Sequence, residues 1–143
     1  KFAILRQAVG KDIIFDAEQS ISIEGDSGPY LQYTHARLSS LLERARGEGK
    51  SPGVTSVRFP LFTLERLLVR FPDIVLRAQT EQAPHHIANY LIEIAREFNA
   101  FYGATQIVDE TPECAYKLAL ALATKQVLKE GLWLLGIEAP SKM

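Results

Sequence analysis

The chain has 143 residues, 47% hydrophobic and 23% charged, with a formal net charge of −1. That length suits one domain with a core of its own, and the composition excludes collagen-like, disordered and disulfide-scaffold classes. One cysteine (Cys114) and three histidines cannot close a Cys/His zinc site or an internal disulfide, and no apolar stretch reaches the ~18 residues of a membrane-spanning helix.

Lys1 opens directly into Phe-Ala-Ile-Leu, with neither an initiator methionine nor a signal-peptide pattern, so the chain is expected to be a piece of a longer protein. Residues 2–5 and 12–15 are short apolar runs that suit either a strand or a buried helical turn, and 16–23 suit one or two helical turns. Gly25-Asp26-Ser27-Gly28-Pro29 stops one element and starts another: Ser27 or Asp26 can cap, and Pro29 suits a first helical turn. A long helix is predicted from about Pro29 to Arg46. Leu31, Thr34, Leu38, Leu41/Leu42 and Ala45 form its core stripe, while Tyr30, Tyr33, Arg37, Ser40 and Arg44 recur along another line.

Periodicity vanishes from Gly47 to Phe62, a loop of about sixteen residues carrying Lys50 and Arg58; loops this long are functional or mobile. Thr63 is placed to cap a short helix through Arg70, and Pro72 opens a second through about Glu81. Pro84 starts a longer helix ended by Gly103, whose seam Ile87, Leu91, Ile94, Phe98 and Phe101 faces a bundle. Thr111-Pro112-Glu113 reads as a cap, first-turn proline and first-turn acid for a last helix over Pro112–Leu135. That helix has Leu118, Leu122, Leu128, Leu132 and Leu135 among its apolar positions, and Gly136 is its stop. Gly131 inside it predicts close helix packing, since glycine there costs up to ~1 kcal/mol relative to alanine. The expected fold is an all-α bundle of about five helices.

Charge is uneven. Residues 34–80 carry eight bases against four acids, while the flanks 1–33 and 81–143 are net acidic. A basic middle suits an anionic partner. No Gly-x-Gly-x-x-Gly, Walker-type, Gly-x-Ser-x-Gly or His-Glu-x-x-His pattern occurs. Cys114 reads as a buried structural thiol, His85 and His86 as helix-terminus residues, and His35 has no second metal ligand three or four positions away. The Tyr30–Tyr33–Arg37–Arg44 line is the sharpest feature. Bases stack on tyrosine faces and guanidinium planes, at roughly 1–3 kcal/mol per base on an aromatic ring, whereas half-buried amphipathic tyrosines would give the same spacing.

The run Glu24-Gly25-Asp26-Ser27-Gly28-Pro29-Tyr30-Leu31-Gln32-Tyr33-Thr34-His35-Ala36-Arg37 resembles the segment of arginyl-tRNA synthetases that opens the helical anticodon-binding domain. Pro84-His85 leading to Tyr90-Leu91, Phe98-Asn99-Ala100-Phe101-Tyr102, and Gly131-Leu132-Trp133-Leu134-Leu135-Gly136-Ile137 through Met143 resemble the same family, in order. The resemblance implies a DALR-type bundle over 25–143, with 1–24 as a connector from a catalytic domain outside this chain. It implies that Tyr33, Arg37, Tyr102 and Met143 surround splayed anticodon bases of arginine tRNA, with Tyr30, Arg44 and Lys142 as further RNA contacts. Ser141-Lys142 stands where the family often has Glu-Arg, which keeps a charge but loses a bidentate fork; Lys117 stands where an arginine is common.

The His-x-Gly-His-type and Lys-Met-Ser-Lys-Ser-type signatures of class I synthetases are absent. The resemblance therefore implies a fragment inactive alone and without cofactor, inside an arginine–tRNA ligase that uses ATP and Mg²⁺. A monomer in the cytoplasm is the expected setting, with mitochondria as the alternative compartment and no membrane partner. All arginine codons have a central G, so a family-wide pocket should read the central C of the anticodon. The alternative function is a helical protein-interaction module without RNA specificity.

Overall fold

The computed structural model describes residues 1–11, 16–54 and 62–143. Among these the secondary structure is helical: α1 (Phe2–Leu5), α2 (Ala17–Ile21), α3 (Gly28–Gly47), α4 (Thr63–Leu68), α5 (Phe71–Thr80), α6 (His85–Ala104) and α7 (Cys114–Leu134). The five helices expected beyond residue 25 are α3 to α7, and the apolar run at the start is a helical turn rather than a strand. The second apolar run, 12–15, lies outside the described residues. None of the described helices is long and apolar enough to cross a membrane.

Local chemistry sets the helix ends. Ser27 Oγ accepts the Tyr30 amide at 3.0 Å to start α3, and Asp16 does the same for Gln19 at 3.1 Å to start α2. The helices α3, α5 and α7 end alike, each in a left-handed residue followed by paired backward hydrogen bonds. Gly49 and Gly136 hold φ of +74° and +67°, and Gln82 holds +50°. In α7 the Gly136 amide reaches the Trp133 carbonyl at 2.8 Å and the Ile137 amide reaches Leu132 at 2.9 Å.

Three expectations about helix positions need correction. Thr63 is not the cap of α4: Phe62 holds that position, and its amide donates to Glu65 Oε2 at 2.8 Å. The last helix starts at Cys114, because Asp109 Oδ1 accepts both the amide (3.1 Å) and the hydroxyl (2.7 Å) of Thr111. Thr111 is thus consumed in the α6–α7 loop. Leu122 is 46% exposed instead of facing the core. Lys117 is buried, and its ammonium donates to the Gln106 carbonyl at 2.9 Å and to the Asp109 carboxylate, clamping the same loop. Partial burial opposes ionisation of Asp109, but its bonds from Lys117 and Thr111 win and hold its carboxyl below the usual range.

The core lies where α3, α6 and α7 pack on one another, with α4 and α5 laid against α6. Leu31, Leu38, Leu91, Ile94, Phe98, Leu118, Leu128 and Leu132 are fully buried there. A Cβ added at Gly131 would stand 2.5 Å from Leu91 Cδ2, so α7 meets α6 at this glycine. Residues 1–6 dock on the bundle through buried Phe2 and through Arg6, which bonds Asp26 Oδ2 at 2.5 Å while Arg96 takes the other carboxylate oxygen. After α3, Lys50 pairs with Glu110 at 2.7 Å and the Gly53 amide reaches the Ala115 carbonyl at 2.9 Å. The remainder of that long loop, 55–61 with Arg58, lies outside the described residues.

Replacing Gly131 with Val should lower stability by about 1–3 kcal/mol through overpacking against Leu91. Gln82→Gly should raise it by about 0.5–1 kcal/mol by removing a side chain from a left-handed position. Urea-denaturation midpoints measure both.

Candidate nucleic-acid interface

Helical spacing puts Tyr33, Arg37, Ser40 and Arg44 on one face of α3. The last turn of α6 brings Tyr102 beside them, and the tail after α7 brings Lys142 and Met143. Together with Ala36 and Leu41 these residues line one groove of about 530 Å³. Tyr33 is 37% exposed and Met143 64%, so both offer apolar surface to a ligand. Arg44 and Lys142 add cations at the rim. Tyr30 does not line the groove. It is half-buried against the core, and its hydroxyl accepts a hydrogen bond from Asn99 Nδ2 at 2.9 Å.

Arg37 is the centre of the arrangement. Its guanidinium carbon lies 4.9 Å from the Tyr33 ring centroid and 5.3 Å from that of Tyr102, a cation–π contact with each. Nη1 donates to Asn99 Oδ1 at 2.9 Å and Nη2 to the Tyr33 hydroxyl at 3.3 Å. The Asn99 amide in turn donates to the Tyr30 hydroxyl and to Thr34 Oγ1 at 3.1 Å. No carboxylate pairs with Arg37 among the described contacts, so its charge is available to an anion.

The tail is held by side chains far away in sequence. Lys1 Nζ donates to the Gly136 carbonyl at 2.8 Å, Gln32 Nε2 to Glu138 at 2.8 Å, and His35 Nδ1 to Pro140 at 2.8 Å. The acceptors are alternate residues, as carbonyls on one side of an extended chain must be. A carbonyl can only accept, so Nδ1 of His35 carries the proton. Burial, helped by the charges of Lys125 and Lys129, holds this imidazole below its ordinary titration range.

Sequence patterning missed Asn99, Gln32 and His35 as parts of this site. Asn99 sits directly after a seam residue, Phe98, and one turn before Tyr102, and that register was its one available signal. Gln32 and His35 gave none, because their partners are backbone carbonyls more than a hundred residues away. The remaining candidates play structural parts. Cys114 is buried, and His86 bonds Glu81 at 2.6 Å; Arg77 and then His86 hold the Glu81 carboxyl low. No group of three His, Cys, Asp or Glu side chains forms a metal site among the described residues.

The chain matches the family model of the DALR anticodon binding domain over residues 31–143. It is 43% identical over 130 residues to the arginine–tRNA ligase of Streptococcus pneumoniae (strain Hungary19A-6), covering 90% of this chain and 23% of that protein. It superposes on the arginyl-tRNA synthetase of Thermus thermophilus with a TM-score of 0.78 and 33% identity, covering 99% of this chain and 25% of that one. The arginyl-tRNA synthetase of Plasmodium falciparum shares the fold, with a TM-score of 0.80 at 22% identity over 99% of this chain and 26% of its own. The chain thus spans about a quarter of the length of these relatives.

Asn99→Ala should cost about 1–3 kcal/mol, since it strips partners from Arg37, Tyr30 and Thr34 together. Thermal unfolding would measure that cost, and broadening of the Arg37 Nε–H resonance would report the loosened guanidinium.

Proposed function

This chain belongs to the DALR anticodon binding domain family, and from that membership we propose that it grips the anticodon stem and loop of arginine tRNA. The observation that carries the reading is the Arg37 guanidinium packed between the Tyr33 and Tyr102 rings, in a groove closed by Lys142 and Met143. A splayed base can slide over an exposed tyrosine face, while Arg37, Arg44 and Lys142 neutralise the backbone beside it. Met143 supplies a soft, adaptable surface against the base. The base that enters is the central C of the anticodon, whose exocyclic amine donates and whose carbonyl accepts. Tyr30 contributes from behind, by fixing Asn99 and so Arg37.

The parent protein joins arginine to its tRNA with ATP and Mg²⁺. This chain supplies the RNA grip, with residues 1–24 as the connector from the catalytic part and 25–143 as the bundle. Its partners are the anticodon arm and that catalytic part. A protein-docking role would favour Tyr33 and Tyr102 within the core; Tyr33 is exposed and Tyr102 only half-buried.

Titration with anticodon stem-loops bearing central C, U or A should rank C first. Tyr33→Ala should weaken the C complex by about 1–3 kcal/mol, one base–aromatic stack. Affinity should fall as salt rises, with a shallower slope for Arg44→Ala. Binding indifferent to the central base and to Tyr33 would overturn the reading.

A further inference from the structure

The tail walls the groove, yet it lies beyond the last helix. After the Gly136 turn it forms no further helix, so its path is set by what holds its backbone. Three hydrogen bonds do so, at 136, 138 and 140, and the one closest to the groove comes from His35. His35 is 3% exposed, whereas Lys142 and Met143, two and three residues past its acceptor, are exposed. The anchor is thus buried and the ligand-facing end is free.

We propose that His35 is a positioning residue: its clamp on the Pro140 carbonyl holds the tail so that Lys142 and Met143 wall the groove. This rests on the RNA-binding reading for its consequence, although the latch itself is a property of the protein alone.

The buried ring suits this task only when neutral. Nδ1–H donates to Pro140, and Nε2 is buried with no hydrogen-bond partner. Protonation would put a second N–H where no acceptor stands, and a cation near Lys125 and Lys129 of α7. The other elements facing it offer no compensating acid: the tail presents the Pro140 carbonyl, and on α3 the Ser39 hydroxyl donates to the His35 carbonyl at 3.0 Å. A ring freed from these contacts titrates near its ordinary value of about 6.5, and the clamped ring titrates lower. The latch is therefore fully closed above about pH 6.5 and weakens as pH falls below it.

Trp133 is the sole tryptophan of the chain. It is 71% exposed and borders a second groove, of about 650 Å³, whose other wall is Ile137, Glu138, Ala139 and Pro140. Its emission consequently reports whether the tail is seated, without any RNA.

The test compares the 143-residue chain with His35→Asn, whose side-chain N–H overlays Nδ1 and cannot titrate, with His35→Leu, which has no donor, and with a deletion of 139–143 that fixes the tail-free signal. Between about pH 7.5 and about pH 5.5, the unmodified chain should move toward the tail-free emission and lose roughly fivefold in affinity for a central-C stem-loop, the equivalent of one hydrogen bond. His35→Asn should keep the seated emission and the affinity at both values. His35→Leu should show the tail-free emission and the weaker binding throughout, with an unchanged helical circular dichroism signal; if it unfolds, the Asn variant and the deletion still decide. A pH response that survives in His35→Asn, or a folded His35→Leu with seated emission, overturns the latch. Emission that follows the latch pattern with no stem-loop bound by any variant would sustain the latch and overturn the RNA reading instead.

Discussion

One amide ties α3 to α6 at the groove. Both polar atoms of Asn99 are engaged: its oxygen takes Arg37, and its nitrogen bridges Tyr30 and Thr34. Buried or half-buried polar groups tolerate no such loss cheaply, because each orphaned partner brings its own desolvation cost. The consequence reaches past stability. With its guanidinium anchored on one side, Arg37 cannot follow its many rotamers into solvent, and it stays between two aromatic rings. A preset cation and two preset rings spare a ligand the ordering entropy it would otherwise have to overcome.

The groove's two walls differ in kind. The α3–α6 wall is built by helix packing and inherits its rigidity from buried Leu31, Leu38, Ile94 and Phe98. The tail wall has no such core beneath it; Gly136 turns the chain, and three side chains catch alternate carbonyls. A wall held this way can open without disturbing the bundle. Rigid contacts therefore come from the helices and adaptable ones from Lys142 and Met143, a division suited to a ligand that must be threaded in before it is covered.

Much of this could be read from spacing. The core stripes of α3 and α6 are buried as their periodicity requires, and Ser27 and Gly136 mark helix ends by their side-chain or backbone chemistry. Gly131 signalled a close approach because nothing else justifies a glycine in mid-helix. The misreadings share one cause. Thr111 has the chemistry of a cap, but Asp109 competes for its amide and hydroxyl, and that competitor acts from outside the helix. Leu122 has the chemistry of a core residue, yet the neighbours on its side of α7 leave it uncovered.

What the sequence by itself determined is the helical class, most helix ends, the apolar faces and the line of aromatic and basic residues along α3. Each follows from chemistry within about one or two turns of chain, where spacing dictates which side chains share a face. Only the tertiary structure decided that Tyr30 turns inward while Tyr33 stays out, that Asn99 holds Arg37, and that His35 holds the tail. Those outcomes join residues 62 to 105 positions apart. No local periodicity carries information about a partner that arrives from another helix, because its position is fixed by how the whole core closes.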